Sequence, residues 1–202
     1  MNKVKVGAAV LAAGASSRLG EPKQLVRFKG KFLLQHTIDL IVEVQIDEQI
    51  LILGANEPEI RNFVNFKSFN VIQNQHWKEG MASSIRLAVE VGLKKELDGL
   101  LILLSDQPYI DLKLLNDLIQ FYEPKKELIV ASLYNNVLGV PALFDRHYFR
   151  ELMKLTGDSG AKRLINTYHE KVKEVKFNKG FIDIDTPTDL AQLKSMKNVH
   201  NH

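Results

Sequence analysis

Short apolar runs rich in β-forming residues alternate along this chain with stretches of helical periodicity, and no other feature restricts the fold as much. The runs cover residues 4–11, 49–53, 70–73, 99–104, 127–133 and 172–177. The first and fourth are nearly continuous in apolar residues, which suits strands covered by helices on both faces. Between the runs, Leu33, Leu34, Thr37, Ile38, Ile41 and Val42 recur at i, i+3/i+4 spacing within residues 32–44. Met81, Ile85, Ala88, Val89 and Leu93 form a second stripe, and residues 112–122 and 190–196 read the same way. This alternation predicts a three-layer α/β fold around a largely parallel sheet. Ligands of such sheets sit at the carboxyl ends of the strands, where the strand order reverses. The loops that follow strands therefore carry the functional argument.

Composition narrows the classes further. The 202 residues are 45% hydrophobic and 25% charged, with no internal repeat and no Pro/Gly-rich linker. One domain over residues 1–197 with a frayed polar tail over 198–202 is expected. The chain has no cysteine, which excludes a disulfide scaffold, a Cys-type zinc site, an iron–sulfur cluster and a thiol nucleophile. Its 27 basic and 24 acidic residues are interspersed, so no nucleic-acid partner is expected. No apolar run is long enough to span a membrane, and the amino terminus has no signal-peptide pattern. The expectation is a cytoplasmic protein without a membrane partner.

Three loops hold the chemistry. The first, residues 11–25, follows the first strand. Its small residues admit a close ligand, and backbone N–H groups with Ser16, Ser17, Arg18 and Lys23 would form an anion cradle. It lacks the endings of a P-loop and of a dinucleotide fingerprint, and a flexible surface loop is the competing reading. The second, Ser105-Asp106-Gln107-Pro108, follows the most apolar internal strand. Asp106 suits a hard cation such as Mg²⁺, which takes oxygen ligands and needs few carboxylates when phosphates complete its shell. An Asp capping a turn is the alternative. The third is residues 181–190. Asp183 and Asp185 share a strand face, Thr186 reads as a helix N-cap followed by Pro187, and Asp189 as its capping-box partner. Asp185 is a candidate second metal carboxylate, or part of a solvated face. Residues 139–144 read as a tight turn into a strand or helix, and residues 157–161 as a helix start capped by Asp158 or Ser159. Trp77, the only tryptophan, reads as a seal on its loop. His36, His147 and His169 have no partner at ligand spacing and read as surface or packing residues.

Taken together these segments resemble the MobA-like nucleotidyltransferase family. The family's loop Leu-Ala-Ala-Gly-x-Ser-x-Arg-x-Gly-x-x-Lys-x-Leu runs here from Leu11 to Leu25. Gly80-Met81-Ala82-Ser83-Ser84, Ser105-Asp106-Gln107-Pro108, Gly139-Val140-Pro141, Gly157-Asp158-Ser159-Gly160-Ala161 and Asp183-Ile184-Asp185-Thr186-Pro187 follow in the family's order. The resemblance is nearest to the branch containing molybdenum cofactor cytidylyltransferases. It implies a nucleoside-diphosphate-sugar-transferase type fold with a mixed, mostly parallel sheet. It also implies that Gly14, Arg18 and Lys23 bind triphosphate and that Leu11, Ala12 and Ala13 border the base. Ser84 joins the nucleotide contacts, and Asp106 and Asp185 hold Mg²⁺. Lys23, Asp106 and Arg18 are then the catalytic residues. The implied reaction is attack of an acceptor phosphate on the α-phosphorus of a nucleoside triphosphate, CTP favoured because Ala12-Ala13 stands where guanylyltransferases carry Gly-Gly. The implied acceptor is molybdopterin, with a molybdoenzyme or its chaperone admitted as a partner. Val140 stands where cytidylyltransferases of this branch often carry His. That leaves a sugar phosphate or another phosphorylated acceptor open, beside guanylyl transfer to the same cofactor and a non-catalytic nucleotide-binding regulator.

Overall fold

The computed structural model describes residues 3–178, 180, 184, 186, 188 and 189. Asp183, Asp185, the helical stretch 190–196 and the tail 198–202 lie outside the described residues. The strands are β1 (Val6–Ala12), β2 (Arg27–Phe28), β3 (Lys31–Phe32), β4 (Glu48–Leu53), β5 (Asn70–Gln73), β6 (Gly99–Leu104), β7 (Ile129–Tyr134), β8 (Val137–Asp145) and β9 (Val172–Lys176). The helices are α1 (Leu33–Glu43), α2 (Glu57–Phe63), α3 (Met81–Lys94), α4 (Leu112–Gln120), α5 (Phe149–Met153) and α6 (Lys162–Thr167). Seven strands form one sheet in the order β5-β4-β1-β6-β8-β7-β9, while β2 and β3 make a separate two-residue ribbon. The pairs β4–β5, β1–β4, β1–β6 and β7–β9 are parallel, and β8 runs antiparallel to both β6 and β7. The sheet is thus mixed and mostly parallel.

Every residue of β1 is buried, which is why its sequence shows no alternation. Period two still sorts its side chains. Ala8, Val10 and Ala12 pack with Leu34, Ile38, Ile41, Leu114 and Leu118 of α1 and α4. Ala9 and Leu11 pack on the other face with Ile85, Ala88 and Val89 of α3 and Phe149 of α5. Two cores thus clamp the central strands, and each fully buried Ile or Leu contributes about 1.5–3 kcal/mol. This holds the carboxyl ends of β1 and β6 side by side, with Leu11 opposite Leu104.

Strand β8 answers the open reading of residues 139–144 in favour of a strand. It pairs with β7 through a turn in which Asn135 and Asn136 both take positive φ, 47° and 59°. One expected cap is corrected. Helix α6 starts at Lys162 with Ala161 before it and no side-chain cap, so neither Asp158 nor Ser159 caps it. After β6 the capping Asp is Asp111, whose side chain accepts the Leu114 N–H at 2.8 Å. Asp106 is left for another role. At the far end, Thr186 N–H donates to Asp189 Oδ2 at 2.7 Å and Asp189 N–H to Thr186 Oγ1 at 3.2 Å, the reciprocal pair expected of a capping box.

Candidate active site

The loop after β1 is tied down rather than loose. Ser16 takes positive φ (55°), and its carbonyl accepts the N–H groups of Leu19 and Gly20 at 3.0 and 3.3 Å. Its hydroxyl accepts the Lys23 N–H at 3.0 Å. Leu19 is buried with Val26, Phe28, Leu33 and Ile184, which anchors the loop's middle. Gln24, in the 3-10 turn Lys23–Leu25, is fully buried and donates from Nε2 to the carbonyls of Ala12 (2.8 Å) and Gly14 (3.2 Å). These bonds satisfy carbonyls that leave the sheet, and they fix the backbone on either side of Ala13. From β4, Gly54 backs the same residue. A β-carbon there would lie 2.5 Å from the Ala13 carbonyl oxygen and 2.7 Å from its methyl carbon.

The second strand end meets this loop through charge. Lys23 Nζ is ion-paired with Asp106 Oδ2, and the two side chains are only 19% and 7% exposed. Asp106 Oδ1 is buried with no hydrogen-bond partner, as are Ser105 Oγ, Gln107 Oε1 and Gln24 Oε1. Native interiors rarely leave buried acceptors unpaired, so a concentration of them at one pair of strand ends marks a place built for something else to bind. The Asp106 carbonyl accepts the Ile184 N–H at 3.1 Å. Gln107 Nε2 donates to the carbonyls of Val140 (3.2 Å) and Gly180 (3.4 Å). The turn after β6 therefore holds together the start of β8 and the segment that leads to Asp185.

The third component comes from the β5–α3 connection. Asn74 is buried and donates from Nδ2 to Ser83 Oγ (2.8 Å) and Ser84 Oγ (3.0 Å), while its Oδ1 accepts the His76 N–H (2.9 Å). Gly80 has φ 100° and ψ −175°, a conformation open essentially to glycine alone, and a β-carbon there would strike Gly157 and Asp158 at 2.5 Å. Ala82 N–H donates to the Gly157 carbonyl at 3.1 Å, so the loop before α6 seals the amino end of α3.

These elements enclose a cleft of about 290 Å³. Leu11, Ala12, Ala13, Gly14, Arg18, Lys23, Ser84 and Asp106 line it together, while Ser16 and Ser17 of the expected anion cradle are not part of its lining. Asp185 lies outside the described residues. Gln24, Trp77, Gly80, Met81, Leu104, Ser105 and Asp158 also line the cleft and were not expected there. Asp158 carried a signal, a carboxylate among glycines, but its helix-start pattern masked it. A larger hollow of about 640 Å³ lies at the amino ends of β1 and β4. Its Asp47 is bonded to Lys3 and to the Val6 N–H, and its Tyr122 to the Asp98 carbonyl and Asp145. That hollow lacks unpaired buried acceptors among the described residues and sits at the end of the sheet that ligands of such folds avoid.

No cluster of three or more His, Cys, Asp or Glu suited to a metal occurs among the described residues. Magnesium needs none when phosphates supply most of its oxygens, and one buried carboxylate oxygen without a partner fits that donor set.

The chain is similar to known proteins over most of its length. The family model described as the MobA-like NTP transferase domain matches residues 8–172. The purine catabolism protein PucB of Bacillus subtilis (strain 168) is 29% identical over 198 residues, covering 91% of this chain and 93% of that protein. A probable molybdenum cofactor guanylyltransferase of Natranaerobius thermophilus is 27% identical over 202 residues, covering 94% and 95%. The crystal structure of Rv0371c from Mycobacterium tuberculosis H37Rv superposes with a TM-score of 0.81 at 30% identity, covering 96% of this chain and 98% of that one. A complex of Rv0371c with manganese gives 0.77 at 28%, covering 94% and 98%.

Proposed function

We propose, on the premise that this chain belongs to the MobA-like NTP transferase family and is a nucleotidyltransferase, that it moves cytidine monophosphate from CTP to the terminal phosphate of molybdopterin, releasing pyrophosphate. The observation that carries this reading is the Lys23–Asp106 pair in a cleft lined by the Leu11–Leu25 loop, with Asp106 Oδ1 buried and unpartnered.

The chemistry needs little from the protein beyond position and charge. The acceptor is a phosphate monoester, already an anion near neutral pH, so no general base has to remove a proton. One of its oxygens forms a bond to the α-phosphorus while the bond to the pyrophosphate oxygen breaks. Lys23 and Arg18 hold the β- and γ-phosphates and stabilise the leaving pyrophosphate. The ammonium of Lys23, now on Asp106, is a compact charge that suits a tight cradle. Asp106 would hold Mg²⁺, with Asp185 as a second carboxylate, and the manganese complex of Rv0371c supports a divalent ion in this fold. A divalent ion held there would supply positive charge to offset the negative charge that develops as pyrophosphate leaves. Leu11, Ala12, Ala13, Gly14 and Ser84 border the nucleoside. We read residues 1–197 as one transferase domain, supported by the seven-stranded sheet to which both β1 and β9 belong. We place it in the cytoplasm, serving a molybdoenzyme or its chaperone. No helix of the described residues is long and apolar enough to cross a membrane.

The base choice rests on Ala13. Its methyl group, backed by Gly54 and fixed by the Gln24 bonds on both sides, narrows the slot and favours the smaller pyrimidine. A methyl-sized difference gives about 1–3 kcal/mol of discrimination, a preference rather than exclusion. The guanylyltransferase relative favours the second reading, GTP as donor to the same acceptor. Side-by-side kcat/KM values for CTP, GTP and ATP with molybdopterin decide between them. The expected order puts CTP first, and a clear preference for GTP or ATP overturns the cytidylyl reading. Absence of pyrophosphate release with every triphosphate and acceptor would favour a binding protein instead.

A further inference from the structure

The lining of the cleft falls into two chemical groups. Lys23, Arg18 and Asp106 are charged. Trp77 and Met81 add an aromatic and apolar part, and Ser84 and a further carboxylate, Asp158, complete the lining. A ligand matched to both has an anionic portion and a flat apolar ring. Trp77 is half-buried: it packs against the core that holds Ala82, Ile85 and Val89, yet it also lines the cleft.

The backbone around this indole is held on every side. Asn74 N–H donates to the Leu53 carbonyl at 2.7 Å, and Asn74 Oδ1 accepts the His76 N–H. The Trp77 carbonyl accepts the Gly80 N–H at 3.2 Å, and Gly80 is wedged against Gly157 and Asp158. Glu79 Oε2 is paired with Arg86 at 2.7 Å, and Arg86 Nη1 donates to the Leu155 carbonyl at 2.8 Å. Such a pre-ordered backbone lets a ring that receives a flat ligand lose little freedom on binding.

We infer that Trp77 is the stacking platform for the nucleobase of the triphosphate. The inference rests on reading the cleft as the nucleotide site. Stacking on an indole is nearly blind to base identity, since every base presents a π-face. Trp77 therefore supplies affinity and orientation, while selection between bases stays with the slot beside Ala13.

The test uses the chain's single tryptophan as its own reporter. Wild-type protein with Mg²⁺ is titrated with CTP, GTP and inorganic tripolyphosphate, with binding measured in parallel by calorimetry. CTP and GTP are expected to bind and quench the indole emission, and tripolyphosphate to bind without quenching. Trp77→Leu is expected to raise Kd about tenfold for CTP and GTP alike, leaving their ratio and the tripolyphosphate affinity unchanged. Trp77→Phe should recover most of the loss. Nucleotide binding without an emission change, equal quenching by tripolyphosphate, or a Trp77→Leu protein with wild-type Kd overturns the platform. Calorimetry showing no nucleotide binding by the wild-type protein overturns the nucleotide reading of the cleft itself, and the platform with it.

Discussion

Replacing Asn74 by Leu tests whether a buried amide holds the corner between β5 and α3. The two side chains share a branched shape and heavy-atom count, so the change removes the hydrogen bonds, and the larger methyl groups of leucine add to the cost at this buried site. Three bonds are lost, to Ser83 Oγ, Ser84 Oγ and the His76 N–H, at 2.8, 3.0 and 2.9 Å. Each has a net worth of about 1 kcal/mol. Ser83 keeps its bond to the Gly80 carbonyl at 2.8 Å, and the exposed His76 can turn its N–H to water, which trims the total. The expected cost is about 2–3 kcal/mol, or a fall in Tm of roughly 5–10 °C for a chain of this size. Calorimetric unfolding measures it. Gln73→Leu is the control, because Gln73 is exposed on the edge strand and should move Tm by less than about 2 °C. The variant should also bind CTP more weakly while keeping tripolyphosphate, since Trp77 and Ser84 hang on this corner. An Asn74→Leu protein that melts within about 2 °C of wild type would refute the accounting.

Asp106→Ala should lower the transfer rate on the order of 10²-fold or more at saturating Mg²⁺ with the far-UV CD spectrum retained, and near-normal turnover would remove Asp106 from the mechanism. Lys23→Ala and Lys23→Arg should both weaken CTP binding and slow transfer, because a planar guanidinium does not replace a compact ammonium; normal kinetics in both would make Lys23 a bystander. Asp39 gives a pH signature. Burial alone would raise its pKa, but hydrogen bonds from Lys31, Lys67 and Gln35 outweigh that and hold it at about 2 against an ordinary 3.8. A depressed carboxylate adds stability above its unfolded pKa and loses it as pH falls through the folded one, and solvent screening of the exposed lysines keeps the amount to about 1 kcal/mol. Urea unfolding should therefore show Asp39→Asn less stable at pH 7, with the gap closing between about pH 4 and 2; a gap constant with pH would refute the assignment.

The parts of this molecule legible beforehand are those whose sequence carries a local physical signature. Buried β1 and β6 announced themselves by unbroken apolar runs, α1 and α3 by their stripes, and the Thr186–Asp189 pair by capping spacing. The loop after β1 drew attention through its small residues beside Ser16, Arg18 and Lys23, and the fold places Arg18 and Lys23 of it in the cleft. What stayed hidden depends on contacts distant in sequence. Gln24 reads as a polar loop residue until the chain folds back and offers it the Ala12 and Gly14 carbonyls. Trp77 reads as a plug until α3 and the Gly157–Asp158 loop define the cleft beside it. Strand β8 was obscured by Gly139 and Pro141, which punctuate turns elsewhere but here sit inside a strand. The adjacent pair Asn135-Asn136 was the available clue to its hairpin.

The contact between Gly54 and Ala13 bears on how related chains should be sorted. A β-carbon at position 54 would meet the Ala13 carbonyl oxygen at 2.5 Å and its Cα at 2.9 Å, so trimming residue 13 to glycine does not make room. The pattern that defines this cleft is thus discontinuous: the contiguous stretch Leu11–Leu25 and, at the end of a different strand, one position without a side chain. A chain that keeps the stretch but carries a bulkier residue at the equivalent of 54 must hold the backbone at the equivalent of Ala13 elsewhere. Grouping such chains with this one by the stretch alone would then misjudge the shape of their cleft.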